Sequence, residues 1–209
     1  NRGNGSKSFD RSQPPVGGIM VKEVYKTYPE DWFLKATFDD LLGWNRWWHR
    51  SRNNEGLLSY GSSPADNPFN EPVFETKTAA GYESGMDDSP MYIGVPFNKK
   101  KHTLELQDVG LTSLYIADCR ALAEMAGILK RKKEQKELES RAKQYALKME
   151  ELWSPEFGAY LNYRTDVDSL STRVSPTLFY PLMAKVGNDE KNEIIMEHFY
   201  DPEEFYGEW

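Results

Sequence analysis

Apolar residues recur at helical spacing over most of the chain, interrupted by one long stretch where they do not. Ile19, Val21, Val24, Tyr25 and Tyr28 fall on roughly one face of a segment from Val16 to Tyr28. Pro14 and Pro15 precede it, and proline suits a helix start because its fixed backbone angle fits and no N–H is needed there. After Pro29, Glu30 and Asp31 favour a second helix N-terminus. Trp32, Phe33, Ala36, Leu41, Trp44 and Trp48 follow at near-helical spacing to about Arg52. The short connection makes these two segments a helical hairpin. A third helix is predicted from Leu106 to about Leu129, with Val109, Leu111, Leu114, Tyr115, Ala117, Leu122, Met125 and Ile128 as its buried positions. A charged connection at 130–137 leads to a fourth, carrying Leu138, Ala142, Tyr145, Ala146, Met149 and Leu152, whose charged opposite face places it outermost. Pro155 and Gly158 end that helix, and Ala159 to Tyr163 alternates like a short strand or hairpin arm. Ser175-Pro176 opens a helix through Val186, Gly187 ends it, and Asp189 to Tyr200 forms the last. The sum is six helices in three hairpins, an all-α fold.

Residues 53–104 break the pattern. They are rich in Asn, Ser, Gly and Pro, and a structureless stretch of that length in a compact domain is usually functional or disordered. Gly56 to Gly61 is readable as a short strand or turn, and Lys99, Lys100 and Lys101 as a solvated corner. Residues 1–10 read as a flexible lead-in and 201–209 as a loop.

Composition narrows the function. The chain has 209 residues, enough for one ordinary domain, and a net charge of −7, which argues against nucleic acid or an anionic membrane as partner because phosphate binding needs a basic surface. A neutral ligand stays compatible. Aromatics make up 13% with six Trp, suited to stacking on sugar rings and equally to filling a core. The single Cys119 excludes an internal disulfide, no His, Cys and Asp grouping has metal-ligand spacing, and nothing suggests a cofactor. No apolar run approaches the ~18 residues of a membrane span. No signal peptide is visible, and the compartment of this chain, expected to be soluble, stays open between cytoplasm and periplasm.

The stretch Glu83-Ser84-Gly85-Met86-Asp87-Asp88-Ser89-Pro90 packs three carboxylates between a glycine-permitted turn and a Ser-Pro turn, and reads locally as an irregular loop. Most acidic clusters are solvated surface. Function can nevertheless justify the crowding, because a carboxyl near others and shielded from water holds its proton more tightly and serves as a general acid.

This string resembles the acid loop of glycoside hydrolase family 63 and of the related family 37 trehalases. Arg11-Ser12-Gln13-Pro14-Pro15 resembles a signature that the trehalases carry upstream of it. Weaker likenesses follow in order at Asp108 to Leu114, Trp153 to Tyr163, Ser175 to Leu182 and Pro202 to Trp209. The resemblance points toward the small mannosylglycerate-hydrolase-like or glucosidase-like members. It implies an (α/α)6 toroid, of which residues 1–209 supply about half of a single catalytic domain. It also implies inverting hydrolysis of α-glycosidic bonds with Asp87 as the acid, and α-linked oligosaccharides or glycosides as partners. Arg11, Gln13, Trp47, Gly85 and Asp88 are the expected substrate-binding residues. Gln13 offers a donor and acceptors, Arg11 a fork of donors, Gly85 close backbone approach, and Asp88 a second carboxylate. Of the adjacent Trp47 and Trp48, one is expected in the core and the other at the pocket. No base is identifiable, and Glu208 is not assigned that role. The chain is therefore expected to be incomplete and inactive alone, and to self-associate through exposed inner helix faces. The alternatives are a non-catalytic carbohydrate-binding or scaffold protein, and a helical-hairpin interaction module.

Overall fold

The computed structural model describes residues 8–68, 70 and 72–205. The early part of the expected lead-in and the end of the expected tail, Glu208 included, lie outside them. Helix α1 (Gly17–Thr27) and helix α2 (Asp31–Arg52) form the first hairpin. The expected loop region follows but is not structureless. It contains strands β1 (Asn53–Asn54) and β2 (Leu57–Leu58), helix α3 (Lys77–Ser84), a 3-10 turn at Pro90–Tyr92, and strands β3 (Phe97–Asn98) and β4 (Thr103–Leu104). Strand β5 (Leu106–Gln107) leads into the second hairpin, α4 (Val109–Ile128) and α5 (Lys132–Met149). Four short strands come next: β6 (Trp153–Ser154), β7 (Ala159–Tyr160), β8 (Tyr163–Arg164) and β9 (Ser169–Leu170). A 3-10 turn at Pro176–Phe179, α6 (Tyr180–Ala184) and α7 (Asp189–Tyr200) complete the described chain.

Helix α4 is the centre of the molecule. Fifteen of its twenty residues are buried, among them Leu111, Tyr115, Ile116, Leu122 and Met125, and a helix apolar on all sides belongs inside. Helix α1 reaches it at Gly18, where a Cβ would fall 2.5 Å from Asp118 Oδ1, so any larger residue would push the two helices apart. Helix α6 approaches from a different face, held by Arg120, whose guanidinium donates to the carbonyls of Ala184 and Lys185. Helix α5 lies along α4 and buries only Leu138, Ala142, Tyr145 and Met149, leaving its charged side outward as expected. The strands form four small antiparallel sheets, β1–β2, β3–β4, β5–β8–β9 and β6–β7, which tie together the loops at the ends of the helices. No helix among the described residues is long and apolar enough to cross a membrane.

Four sequence expectations need correction. The buried stripe of α2 runs Leu34, Phe38, Leu42, Asn45, Trp48 and Arg52, while Trp32 is 67% exposed. The two buried polar residues disguise that stripe, and the aromatic weight of Trp32 and Trp44 pulls the apparent face aside. On α1, Val24 and Tyr28 are exposed; burial goes to Gly18, with Val21 and Tyr25 packed at the rim of the core. Helix α5 begins at Lys132, because strong helix formers carry it through the charged segment expected to be a connection. The 175–186 helix is a 3-10 turn followed by five α-helical residues, since Pro181 follows Pro176 within two turns.

Candidate functional site

The acidic stretch is only half a loop. Glu83 and Ser84 form the last turn of α3 and are buried. Thr76 starts the helix, its side chain accepting the Ala79 N–H. Gly85 ends it in the left-handed conformation, φ 69°, which favours glycine. Ser84 Oγ donates to the Gly81 carbonyl at 2.6 Å and accepts the Met86 N–H at 2.9 Å. The chain therefore folds back over α3, and the Asp87 Cα lies 3.5 Å from where a Cβ on Gly81 would sit. Asp87 and Asp88 are both exposed, and neither carboxylate makes a hydrogen bond with a described residue.

Glu83 points the other way. Its side chain is fully buried and accepts four hydrogen bonds: Oε1 from the Ser12 N–H (2.8 Å) and Arg52 Nη2 (2.8 Å), Oε2 from Arg52 Nε (2.6 Å) and the Gly61 N–H (2.8 Å). Burial outweighs the pull of the Arg52 guanidinium and the two amides and holds its pKa above the ordinary value. All four partners are donors, so a proton on Glu83 would have to break one of these bonds; the group is a carboxylate held by a cation. The crowding of three free carboxylates expected from the sequence is thus divided, with Glu83 neutralised inside and Asp87 and Asp88 outside.

Arg52, the last residue of α2, uses its whole fork. Besides Glu83 it donates from Nη1 to the Ser51 carbonyl (3.1 Å) and Ser63 Oγ (2.7 Å), and from Nη2 to the Asp10 carbonyl (3.1 Å). The guanidinium lies over the Trp47 ring, 4.8 Å from its centroid. Trp48 is fully buried, the core half of the expectation for the adjacent tryptophans, and Trp47 is half-buried.

The Arg11-Ser12-Gln13 string lies against this anchor. Arg11 Nη1 grips both oxygens of Asp10 at 2.8–2.9 Å, Nη2 bonds Ser8, and the guanidinium sits 5.6 Å from the Tyr82 ring centroid. Asp10 is fully buried and also accepts from Ser62 Oγ at 2.5 Å. Trp44 Nε1 donates to Ser12 Oγ at 2.7 Å. Gln13 is exposed, with one long 3.4 Å contact to the Ser12 carbonyl. The two strings that carry the resemblance, 71 residues apart at the Ser12–Glu83 bond, are therefore physical neighbours. A hollow of about 530 Å³ between α4, α5 and the turn before α7 holds none of the acid-loop residues. Among the described residues, no cluster of three His, Cys, Asp or Glu side chains could hold a metal ion.

The whole chain, residues 1–209, matches the family described as "mannosylglycerate hydrolase MGH1-like glycoside hydrolase domain". The chain belongs to this family. No curated protein matches it. Among solved structures, the MGH1-like chain is similar to the family 63 mannosylglycerate hydrolase from Thermus thermophilus in complex with glucose, at 19% identity and a TM-score of 0.71, covering 91% of this chain and 51% of that one. It is similar to the same hydrolase with Tris and D-glycerate, at 18% identity and a TM-score of 0.71, with coverages of 91% and 55%. The neutral trehalase from Saccharomyces cerevisiae gives 17% identity and a TM-score of 0.71, covering 90% of this chain and 43% of that one. The MGH1-like chain shares their fold and spans about half their length.

Sequence reasoning missed Arg52, Asp10, Ser62 and the role of Glu83. Arg52 was legible only as the end of a helix. A basic residue on the buried stripe of α2, one turn beyond Trp48, was the available signal that a buried carboxylate must face it.

Proposed function

We propose that the protein is an inverting glycoside hydrolase acting on α-glycosidic bonds, in which Asp87 gives a proton to the leaving oxygen. One observation carries the reading. In a glycoside hydrolase domain, the aspartate of the acid-loop string stands exposed and unbonded on a turn whose root is held rigidly. That arrangement lets its oxygen face substrate while its backbone does not drift, and the shielding that would hold the proton is proposed to come from the closed site with substrate bound.

Around it, Gln13 and Asp88 present exposed polar groups to sugar hydroxyls. Beside Gly85, a Cβ would meet no atom within 4 Å, so that flank is open to a ligand. Trp47, one face covered by Arg52, offers its remaining surface to a sugar ring, and Arg11 supports the site by fixing Asp10 and Tyr82. Inversion requires a second carboxylate about 6.5–9.5 Å away to activate water. No described residue is assigned that role, and we place it in the part of the fold that the relatives have beyond the matched half. In the same way, the three hairpins are proposed to be one half of an (α/α)6 ring. Met20 and Val24 on α1, with Met183 on α6 and Phe199 and Tyr200 on α7, mark apolar edges that further hairpins would cover and through which residues 1–209 alone would self-associate. A monodisperse monomer in sedimentation would contradict that.

The test is hydrolysis by the full-length protein. Candidate substrates are α-linked glucosides and, from the relative's name, mannosylglycerate, with the anomer of the nascent sugar read by NMR. Turnover of an α-glycoside to the β-anomer, lost in Asp87→Asn, supports the proposal. Binding without turnover supports the second reading, a non-catalytic carbohydrate-binding protein. Absence of both leaves a helical scaffold.

A further inference from the structure

The Arg52–Glu83 pair sits where stability alone gives little reason to have it. Taking both charges out of water costs more than their attraction returns unless every bond is satisfied, and buried ion pairs are often replaceable by apolar side chains with no loss of stability. What an apolar pair cannot supply is direction. Here every donor of Arg52 and four acceptor positions of Glu83 are spent on named partners in four separate segments: residues 10–12, the end of α2, residues 61–63 and the end of α3. The Ser63 N–H closes the circuit by donating to the Asp10 carbonyl at 2.7 Å. Two of the four acceptor positions on Glu83 take backbone amides, so the carboxylate fixes main chain rather than side chains alone. Asp87 follows Glu83 by four residues, through a left-handed glycine and a turn pinned by Ser84.

We infer that Arg52 and Glu83 are positioning residues for Asp87: the pair sets the direction in which α3 ends, and hence where the Asp87 oxygen stands relative to a bound sugar. This rests on the reading of Asp87 as the acid. A displacement on the order of 1 Å at a reacting group costs about 10²-fold in rate, while the Gln13 and Asp88 side chains make no hydrogen bond to Arg52 or Glu83 and Trp47 is placed by α2. The signature is therefore a loss in kcat with KM little changed.

Single substitutions strand a buried charge and confound folding with function. The decisive variant is the double exchange Arg52→Met with Glu83→Leu, which removes both charges and keeps apolar volume, compared in the full-length protein with wild type and Asp87→Asn on the same α-glycoside. The expected result is a cooperatively melting protein whose kcat falls about 100-fold with KM within about twofold of wild type. A folded double variant with wild-type kcat, beside an inactive Asp87→Asn, overturns the positioning role and leaves the acid assignment standing. An active Asp87→Asn overturns the acid assignment instead. Should the double variant fail to fold, Arg52→Lys decides: it keeps a cation beside Glu83 but lacks the fork that also holds Ser63 and the Asp10 carbonyl. It is expected to show the same kcat loss at unchanged KM, and wild-type kcat in Arg52→Lys refutes the inference.

Discussion

Glu83 and Asp87 stand four residues apart in one acidic string, yet the fold treats them oppositely. Glu83 is fully buried, bonded by four donors and paired with Arg52; Asp87 is exposed and unbonded to any described residue. Electrostatic crowding, the first physical reading of the string, is not how the segment is built. One carboxylate fixes the main chain and the other stands exposed. Another buried carboxylate, Asp118, sharpens the contrast. It accepts the Gly18 N–H and Asn45 Nδ2, both at 2.8 Å and both neutral, and burial pushes its pKa up to about 7. Where the fold needs a permanent charge it supplies a cation, and where it needs only to join α1, α2 and α4 it uses neutral donors.

The largest expected effect is on chemistry. Asp87→Asn should lower kcat by about 10²–10⁴-fold, the usual worth of a general acid, while leaving the melting temperature nearly unchanged, because the side chain holds nothing in place. A drop in stability without loss of rate would reverse the roles assigned to the two carboxylates. Next, Arg52→Met alone should destabilise by about 3–5 kcal/mol in denaturant unfolding, because it leaves Glu83 buried and uncompensated. A cost under about 1 kcal/mol would mean that Glu83 simply takes up a proton.

Asp118→Asn is expected to cost less, about 1–3 kcal/mol, since an amide keeps one of the two bonds and turns a donor toward Asn45. Its pH dependence is the more telling readout. Below the ordinary value of 3.8, folded and unfolded chains both hold the Asp118 proton and the group contributes nothing. Between there and about 7, the unfolded chain has released a proton that the folded chain retains, so rising pH destabilises, and above about 7 the penalty is constant. That downward slope should shrink in Asp118→Asn, leaving the part due to Asp108, whose pKa burial pushes up to about 6, and should persist in full in Asp87→Asn.

Much of this was legible from the sequence. Start and stop signals located α7, and apolar periodicity located α1, α2 and α4 within a few residues. It gave the wrong face of α2, since Asn45 and Arg52 are polar residues at core positions, serving Asp118 and Glu83 respectively. Those partners lie 73 and 31 residues away, and no local pattern reports a contact at that range. Helix α3 was hidden for a related reason. Its eight residues carry little apolar signal, and its acidic end looked like surface until Arg52 faced it. The two-residue strands are set by turns, as in β1–β2, where Glu55 and Gly56 take φ 58° and 94° as a tight hairpin requires. The motif strings pointed to Asp87, whose role is a proposal, while the anchor under them came only from the packing.

The most direct test of Asp87 as proton donor compares kcat/KM of Asp87→Asn and wild type in the full-length protein on two α-glycosides. One carries a sugar or glycerate leaving group and the other a dinitrophenolate, which departs without a proton. The account predicts a loss of at least about 100-fold on the first and little on the second. Equal losses on both would contradict it.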